Sequence, residues 1–334
     1  MTRRESIAVI GAGSWGTALA IQFARAEQLT TLWGRADDEP ERLERERCNA
    51  RYLPDSPFPE DLRVDADLEK VVRNNHDVLI AVPSHALRSV LEEIRPFLAD
   101  DHRIAWATKG FEVKTGKLPH QVAAEILGDT VPLAVLSGPT FATEVGKGLP
   151  TAMTVAATNA DYANELATRI SNESFRAYTS DDIIGVEVGG AVKNVVAIAA
   201  GISDGIGFGA NTRVALISRG LIEMRRLGEA LGAHADTFMG LSGMGDLVLT
   251  CTDNQSRNRR MGLGRAAGKN TAELAKEIGQ VVEGVLAANA VHGVAQQLNV
   301  EMPICEQVYQ ILYDDLTPEQ AVLALMSREI GPET

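Results

Sequence analysis

Short, almost continuously apolar runs alternate with helical patterns through the first half of the chain. The runs are Ile7–Ile10, Thr30–Trp33, Val78–Val82, Ile104–Thr108 and Leu133–Leu136. Because they are apolar throughout rather than at every second position, they suit strands covered by helices on both faces. Their interleaving with helical segments is the pattern of a parallel sheet with crossover helices. Beyond about Asp182 such runs become scarce and helical periodicity takes over, in Gly185–Ala200, Asn211–Leu231, Thr271–Ile278, Val285–Leu298, Pro303–Leu312 and Pro318–Leu325. The last of these has Thr317 as an N-cap and Pro318 in its first turn. The pattern predicts an α/β domain with a doubly wound parallel sheet over residues 1–184, then an all-α domain over residues 185–334. The charged run Asp37–Arg47 and the loop holding Pro54, Pro57 and Pro59 read as a solvated helix face and a surface loop.

Length supports that division, since 334 residues accommodate two domains of ordinary size. With 45% hydrophobic and 23% charged residues, the chain is neither disordered nor membrane-embedded in character. Lys and Arg total 32 against 45 for Asp and Glu, and the net charge of -13 argues against a general nucleic-acid or anionic-membrane binder. Any basic site has to be local. Cys48, Cys251 and Cys305 are odd in number and widely spaced, which suggests reduced thiols and neither a disulfide framework nor a metal site. Met1–Ser6 runs straight into an apolar strand and glycines, unlike a secretory signal. Val186–Ile202 is interrupted by Glu187, Lys193 and Asn194 and reads as a buried helix, not a membrane span. A cytoplasmic protein without stable membrane insertion is expected.

The first candidate site is Gly11-Ala12-Gly13-Ser14-Trp15-Gly16, between the first strand and the helix Thr17–Ala26. In that context Gly11 permits a tight turn, Gly13 lets a pyrophosphate approach the backbone, and Gly16 lets helix and strand pack closely. The helix N-terminus then faces the anion. About 20 residues further on, NAD-selective sites commonly place an acid on the adenosine ribose. Here the second strand ends in Arg35, which can pair with a 2′-phosphate and favours acceptance of NADPH. A surface arginine beside Asp37 and Asp38 is the alternative.

Three later segments carry polar groups where ligands gather. Lys109, in Ala107–Glu112, and Ser137-Gly138-Pro139-Thr140 follow strand ends, and ligands of open α/β sheets collect beyond the carboxyl ends of strands. Lys193 stands in the apolar helix Gly189–Ile198, where an ammonium must snorkel, pair, or serve a site that uses a lowered pKa. Asp246 lies in the glycine-rich turn Leu241–Leu247, with capping of the following helix as its plain alternative. Ser256-Arg257-Asn258 opens a stretch from Asn254 to Ala272 with five basic residues and no acidic one, a local anion site suited to phosphate oxygens.

In their order, Gly11–Gly16, Ala107–Gly110, Ser137–Pro139, Lys193-Asn194, Gly243–Leu247 and Ser256–Asn258 closely resemble bacterial NAD(P)-dependent glycerol-3-phosphate dehydrogenase over essentially the whole chain. The resemblance implies a Rossmann-type N-terminal domain, a helical C-terminal domain, and reduction of dihydroxyacetone phosphate to sn-glycerol 3-phosphate for glycerophospholipids. It implies Lys193 as proton donor and acceptor, with Lys109 and Asp246 also catalytic, and Gly138, Thr140, Ser256, Arg257 and Asn258 around the substrate. It places Ser14, Trp15, Arg35, Lys109, Ala142, Arg257, Val281 and Glu283 against NADP or NAD, beside Gly11, Gly13 and Gly16. Family members often have Ser where this chain has Thr140, so the hydroxyl is kept. Two rivals remain: a related dehydrogenase of a small β-hydroxy acid, and a non-catalytic NADP-binding sensor. The hydroxy-acid enzymes space Lys and Asn four apart, unlike the adjacent Lys193 and Asn194, and a sensor has no need of Lys193, Lys109 and Asp246 together. A homodimer is the base-rate expectation.

Overall fold

Eight strands form one sheet in the order β3-β2-β1-β4-β5-β6-β7-β8 in the computed structural model, which describes residues 6–329. Residues 1–5, which contribute to the expectation that no targeting segment is present, lie outside the described residues. The strands are β1 (Ser6–Ile10), β2 (Leu29–Trp33), β3 (Leu62–Asp65), β4 (Asp77–Ile80), β5 (Arg103–Trp106), β6 (Leu133–Ser137), β7 (Thr151–Ala157) and β8 (Phe175–Ser180). The helices of this half are α1 (Ser14–Arg25), α2 (Pro40–Glu46), α3 (Leu68–Arg73), α4 (Leu87–Ile94), α5 (Pro119–Leu127), α6 (Ala142–Lys147) and α7 (Ala160–Ile170).

Central β1 pairs in parallel with β2 and β4, Ile10 opposing Trp33 on one side and Ile80 on the other. The strand order reverses across this point, and a ligand crevice forms there because the connections leave β1 and β4 in opposite directions. The sheet departs from the expected all-parallel form at β6 and β7, which are antiparallel. Between them the six-residue α6 is held against α1, the Arg25 guanidinium donating to the carbonyls of Val145 and Gly146 at 3.0 and 2.6 Å.

The second half is helical: α8 (Ile183–Gly205), α9 (Ala210–Ala230), α10 (Asp246–Thr252), α11 (Arg257–Ala266), α12 (Thr271–Ile278), α13 (Glu283–Leu298), α14 (Pro303–Tyr313) and α15 (Pro318–Met326). Thr317 caps α15 in a reciprocal box with Gln320. The core gathers on α8, whose Val188, Val192, Val195, Val196 and Ile198 are fully buried. Among the described residues α8 alone is long and apolar enough to cross a membrane, but 94% of that stretch is buried within the protein. A helix apolar on every side has to be covered on every side, and the surrounding helices do so.

Contacts divide the chain into two compact units, one running to Thr108 and resuming over Pro119–Ile183, the other comprising Lys109–Leu118 and the chain from Ile184. A single cut at 184/185 is therefore too simple. Phe111 and Leu118, each 1% exposed, belong to the helical core, and they draw the intervening segment into the second unit.

Candidate active site

In the first unit, the turn after β1 has the form that a pyrophosphate requires. Gly11 has φ +120°, and a Cβ there would lie 2.7 Å from the carbonyl oxygen of Ala81. At Gly16 a Cβ would fall 1.9 Å from the oxygen of Gly11, whereas at Gly13 nothing lies within 4 Å. Gly13 is also the N-cap of α1, with no side chain bonded to the helix end. The open face at Gly13 and the uncapped N–H groups behind it fit an anion. Ser14 and Trp15 form the first helical positions, and the indole Nε1 of Trp15 is buried without a hydrogen-bond partner among the described residues. The cradle and this donor fit a dinucleotide.

The other predicted ligand residues of this unit are found in loops and at a helix start. Arg35 is exposed, and its Nε lies 3.5 Å from Asp38, the surface pairing named as its alternative role. Gly138 has φ +157° and packs its Cα side against Met153, while Thr140 donates its hydroxyl to the Gly138 carbonyl at 3.2 Å. Ala142 opens α6.

The second unit assembles the predicted acid–base group. Lys193, 7% exposed on α8, donates to Asp246 Oδ1 at 2.7 Å and to Thr250 Oγ1 at 3.0 Å. Lys109 donates to the other oxygen, Asp246 Oδ2, at 2.7 Å. Asp246 is the first residue of α10 and is 2% exposed, but its carboxylate serves the two lysines and does not cap the helix. An ammonium has three protons, so Lys193 retains one beyond its two partners among the described residues. Burial pulls its pKa down to about 8, with Asp246 opposing and Lys109 assisting that shift. Burial acts the other way on Asp246, and the charges of Lys109 and Lys193 outweigh it to hold the carboxyl below its ordinary range.

Ser256, Arg257 and Asn258 stand at the start of α11. Ser256 is the N-cap, its Oγ accepting the Arg259 N–H at 3.2 Å, and its hydroxyl hydrogen remains available to a ligand. Asn258 accepts the Gly284 N–H at 2.8 Å and donates to Asn194 Oδ1 at 2.8 Å, which leaves one amide hydrogen. Arg257 Nη1 donates to Gln280 Oε1 at 3.2 Å. Val281 is exposed just before α13, and Glu283 is the first residue of that helix. Among the described residues no cluster of three or more His, Cys, Asp or Glu side chains is arranged to hold a metal.

Family models for the NAD-dependent glycerol-3-phosphate dehydrogenase N-terminus and C-terminus match residues 6–163 and 182–323. The glycerol-3-phosphate dehydrogenase, NAD(P)+, of Aeromonas salmonicida (strain A449) is 55% identical over 330 residues, 98% of this chain and 99% of that one. The chain belongs to the NAD-dependent glycerol-3-phosphate dehydrogenase family. Its fold is similar to the crystal structure of glycerol-3-phosphate dehydrogenase from Coxiella burnetii, with TM-score 0.94 and 48% identity over 97% of this chain and 99% of that one. The Saccharomyces cerevisiae glycerol-3-phosphate dehydrogenase GPD1 superposes with TM-score 0.83 at 26% identity, covering 97% of this chain and 99% of the yeast one.

Within this glycerol-3-phosphate dehydrogenase family member, two side chains at the site, Thr250 and Gln280, escape a reading based on motifs, and a third, Asn194, is read without its partner. Thr250 lies one helical turn beyond Asp246 on α10 and shares Lys193 with it, so i,i+4 spacing is the signal that would have found it. Asn194 has a visible motif but no visible partner, since Asn258 is 64 residues away. Gln280 follows the left-handed Gly279 at the end of α12 and has no signal short of its contact with Arg257.

Proposed function

We propose that this chain catalyses the reversible, NAD(P)H-dependent reduction of dihydroxyacetone phosphate to sn-glycerol 3-phosphate, with Lys193 as proton donor and, in reverse, as base. The observation that carries the reading is the Lys193–Asp246–Lys109 group. A buried lysine with a pKa near 8 keeps one proton beyond its two bonds and is fixed by a carboxylate that a second lysine shares. The coenzyme, when bound, supplies or accepts the hydride at C2.

Reduction builds negative charge on the carbonyl oxygen, and an ammonium held at that oxygen both stabilises the charge and neutralises it. Asp246 and Thr250 hold Lys193 by two of its protons, which orients the third. Lys109 supplies a second cation and keeps Asp246 ionised. The substrate phosphate falls to Arg257, the free amide hydrogen of Asn258, the Ser256 hydroxyl and the N-terminus of α11, a combination of charge-assisted donors and helix end suited to a dianion. Gly138 and Thr140 complete the proposed substrate set. Gly11, Gly13, Ser14, Trp15, Gly16, Ala142 and Arg35 serve the coenzyme, and Lys109, Arg257, Val281 and Glu283 also contact it. A hydroxy-acid dehydrogenase has no use for so strong a phosphate set, and a sensor has none for a buried proton donor.

The curated relative carries NAD(P)+ in its name, and we assign NADP and NAD as coenzymes here, with glycerophospholipid synthesis as the destination of the product. Free thiols at Cys48, Cys251 and Cys305 support a reducing cytoplasm. A homodimer follows from the frequency of two-fold oligomers.

The test is loss of absorbance of reduced nicotinamide on adding dihydroxyacetone phosphate to the protein and NADPH. Lys193→Ala is expected to lose turnover by ~10²–10⁴-fold, the usual contribution of a general acid, while still binding NADPH. Turnover of that variant near the parent rate overturns the role of the lysine, and equal use of dihydroxyacetone without its phosphate overturns the substrate.

A further inference from the structure

Lys193 and the proposed phosphate group lie on different helices, α8 and α11, so their separation depends on how α11 is held against α8. Near the end of α8, Asp204 Oδ2 lies 2.5 Å from Arg259 Nη2 of α11 and 2.7 Å from Arg213 Nη1 of α9. Arg259 is 8% exposed and directly follows Asn258. Its Nε and Nη1, and Oδ1 of Asp204, are buried without hydrogen-bond partners among the described residues.

An ion pair so incompletely bonded is a poor device for stability. Desolvation of both charges offsets much of their attraction, and apolar side chains of the same volume often serve as well. Its place suggests another use. The two helices touch through their backbones beside it: a Cβ on Gly201 would sit 2.1 Å from the carbonyl oxygen of Arg259, and one on Gly262 2.1 Å from that of Ile198. Backbone contact fixes the distance between the helices, and because glycine faces offer no side chain to interlock, that contact by itself resists turning of α11 about its axis only weakly. The Asp204–Arg259 pair opposes that turning, as does the bond from Asn258 to Asn194. Each residue of a helix rotates about 100° from the last, so any rotation at Arg259 passes directly to Arg257 and Asn258.

We propose that Asp204 and Arg259 are positioning residues for phosphate recognition, setting the rotation of α11 that presents Arg257 and Asn258 to the substrate. This rests on the reading of Arg257 as a phosphate ligand. Arg259→Lys keeps the charge and loses the planar fork; Asp204→Asn keeps the shape and loses the charge. For each, KM and kcat for dihydroxyacetone phosphate are measured well below its own melting temperature, with Arg257→Ala alongside. The expected result is a KM raised about 10-fold, as for one misaligned charge-assisted hydrogen bond, with kcat within about threefold of the parent, and with Arg259→Lys the milder of the two. A purely structural pair would lower the melting temperature and leave KM unchanged. If Arg257→Ala raises KM while both other variants keep it within about twofold of the parent, the positioning role is overturned. If Arg257→Ala leaves KM unaltered, the phosphate reading itself has failed.

Discussion

Lys193 shows how far a single residue can be understood before its partners are known. An ammonium in so apolar a helix demands a counter-charge, and that demand is legible in the sequence. The counter-charge, Asp246, is 53 residues away and brought near only by the packing of α10 on the core, so the pairing itself is not legible. The balance of forces was equally hidden: burial lowers the lysine to about 8 against the pull of Asp246. Two pH effects follow. Carbonyl reduction needs the protonated lysine, so its rate should fall as pH rises through about 8, while oxidation of glycerol 3-phosphate, which needs the free amine, should rise over the same range. Asp246→Asn removes the opposing charge, leaves burial and Lys109 in place, and should move this limb of the pH–rate profile to lower pH. A limb that stays put in the variant would mean that another group titrates. Ser256 makes a further point at this scale, because one hydroxyl serves both as helix cap and as proposed ligand donor, and Ser256→Ala should cost ~1 kcal/mol of stability from the lost cap besides any effect on KM. Thermal unfolding and substrate kinetics on the same sample separate the two.

At the scale of elements, strands and helices with strong apolar patterns were legible and weakly patterned ones were not. The five apolar runs became β1, β2, β4, β5 and β6, because strands buried on both faces carry a dense signal. β3 interrupts its buried Leu62 and Val64 with the exposed Arg63, β7 is rich in Ala and Thr, and β8 lies at the sheet edge with Arg176 and Tyr178 turned outwards, so each lacks the pattern that would mark it. α11 carries Arg257, Arg259, Arg260 and Arg265 among glycines and has no continuous apolar stripe, which hid a helix behind a basic site. A helix contact also sets a stability prediction. Glu223 of α9 accepts the N–H groups of Ile304 and Cys305 at the start of α14, at 2.7 and 3.1 Å. Burial nevertheless pushes its pKa up to about 7, against the lowering effect of those N–H groups. The folded chain therefore binds more protons than the unfolded one between the ordinary carboxyl range and about 7. Stability from this group is full below that range and is lost as pH rises through about 7, on the order of 3 kcal/mol. Relative to the parent, Glu223→Gln should be more stable at pH 8 than at pH 5, and a melting-temperature difference independent of pH would refute it.

The whole molecule departs most from its sequence pattern at residues 109–118, because a division by periodicity follows the chain and the cores do not. The strand β5 ends in the first unit, yet Lys109–Leu118 joins the second before the chain returns at Pro119. Phe111 and Leu118 explain the excursion, since each is buried with the helical core, and burying a large apolar side chain is worth ~1.5–3 kcal/mol. The same excursion carries Lys109 to Asp246, so a segment that packs for stability also delivers a proposed catalytic cation. A fragment ending at residue 183 should then be badly behaved for a specific reason: it retains Phe111 and Leu118 but lacks the helices that cover them, and exposed apolar groups of this kind favour association. Replacing residues 109–118 by ten glycine and serine residues keeps the connection the same length and removes the uncovered side chains. The replaced fragment should stay monomeric by light scattering, bind less of a hydrophobic dye, and still bind NADPH weakly through the Gly11–Gly16 turn. The unaltered fragment should bind the dye strongly and associate. Equal dye binding and equal scattering by the two would show that the segment is not what commits the chain to its second unit.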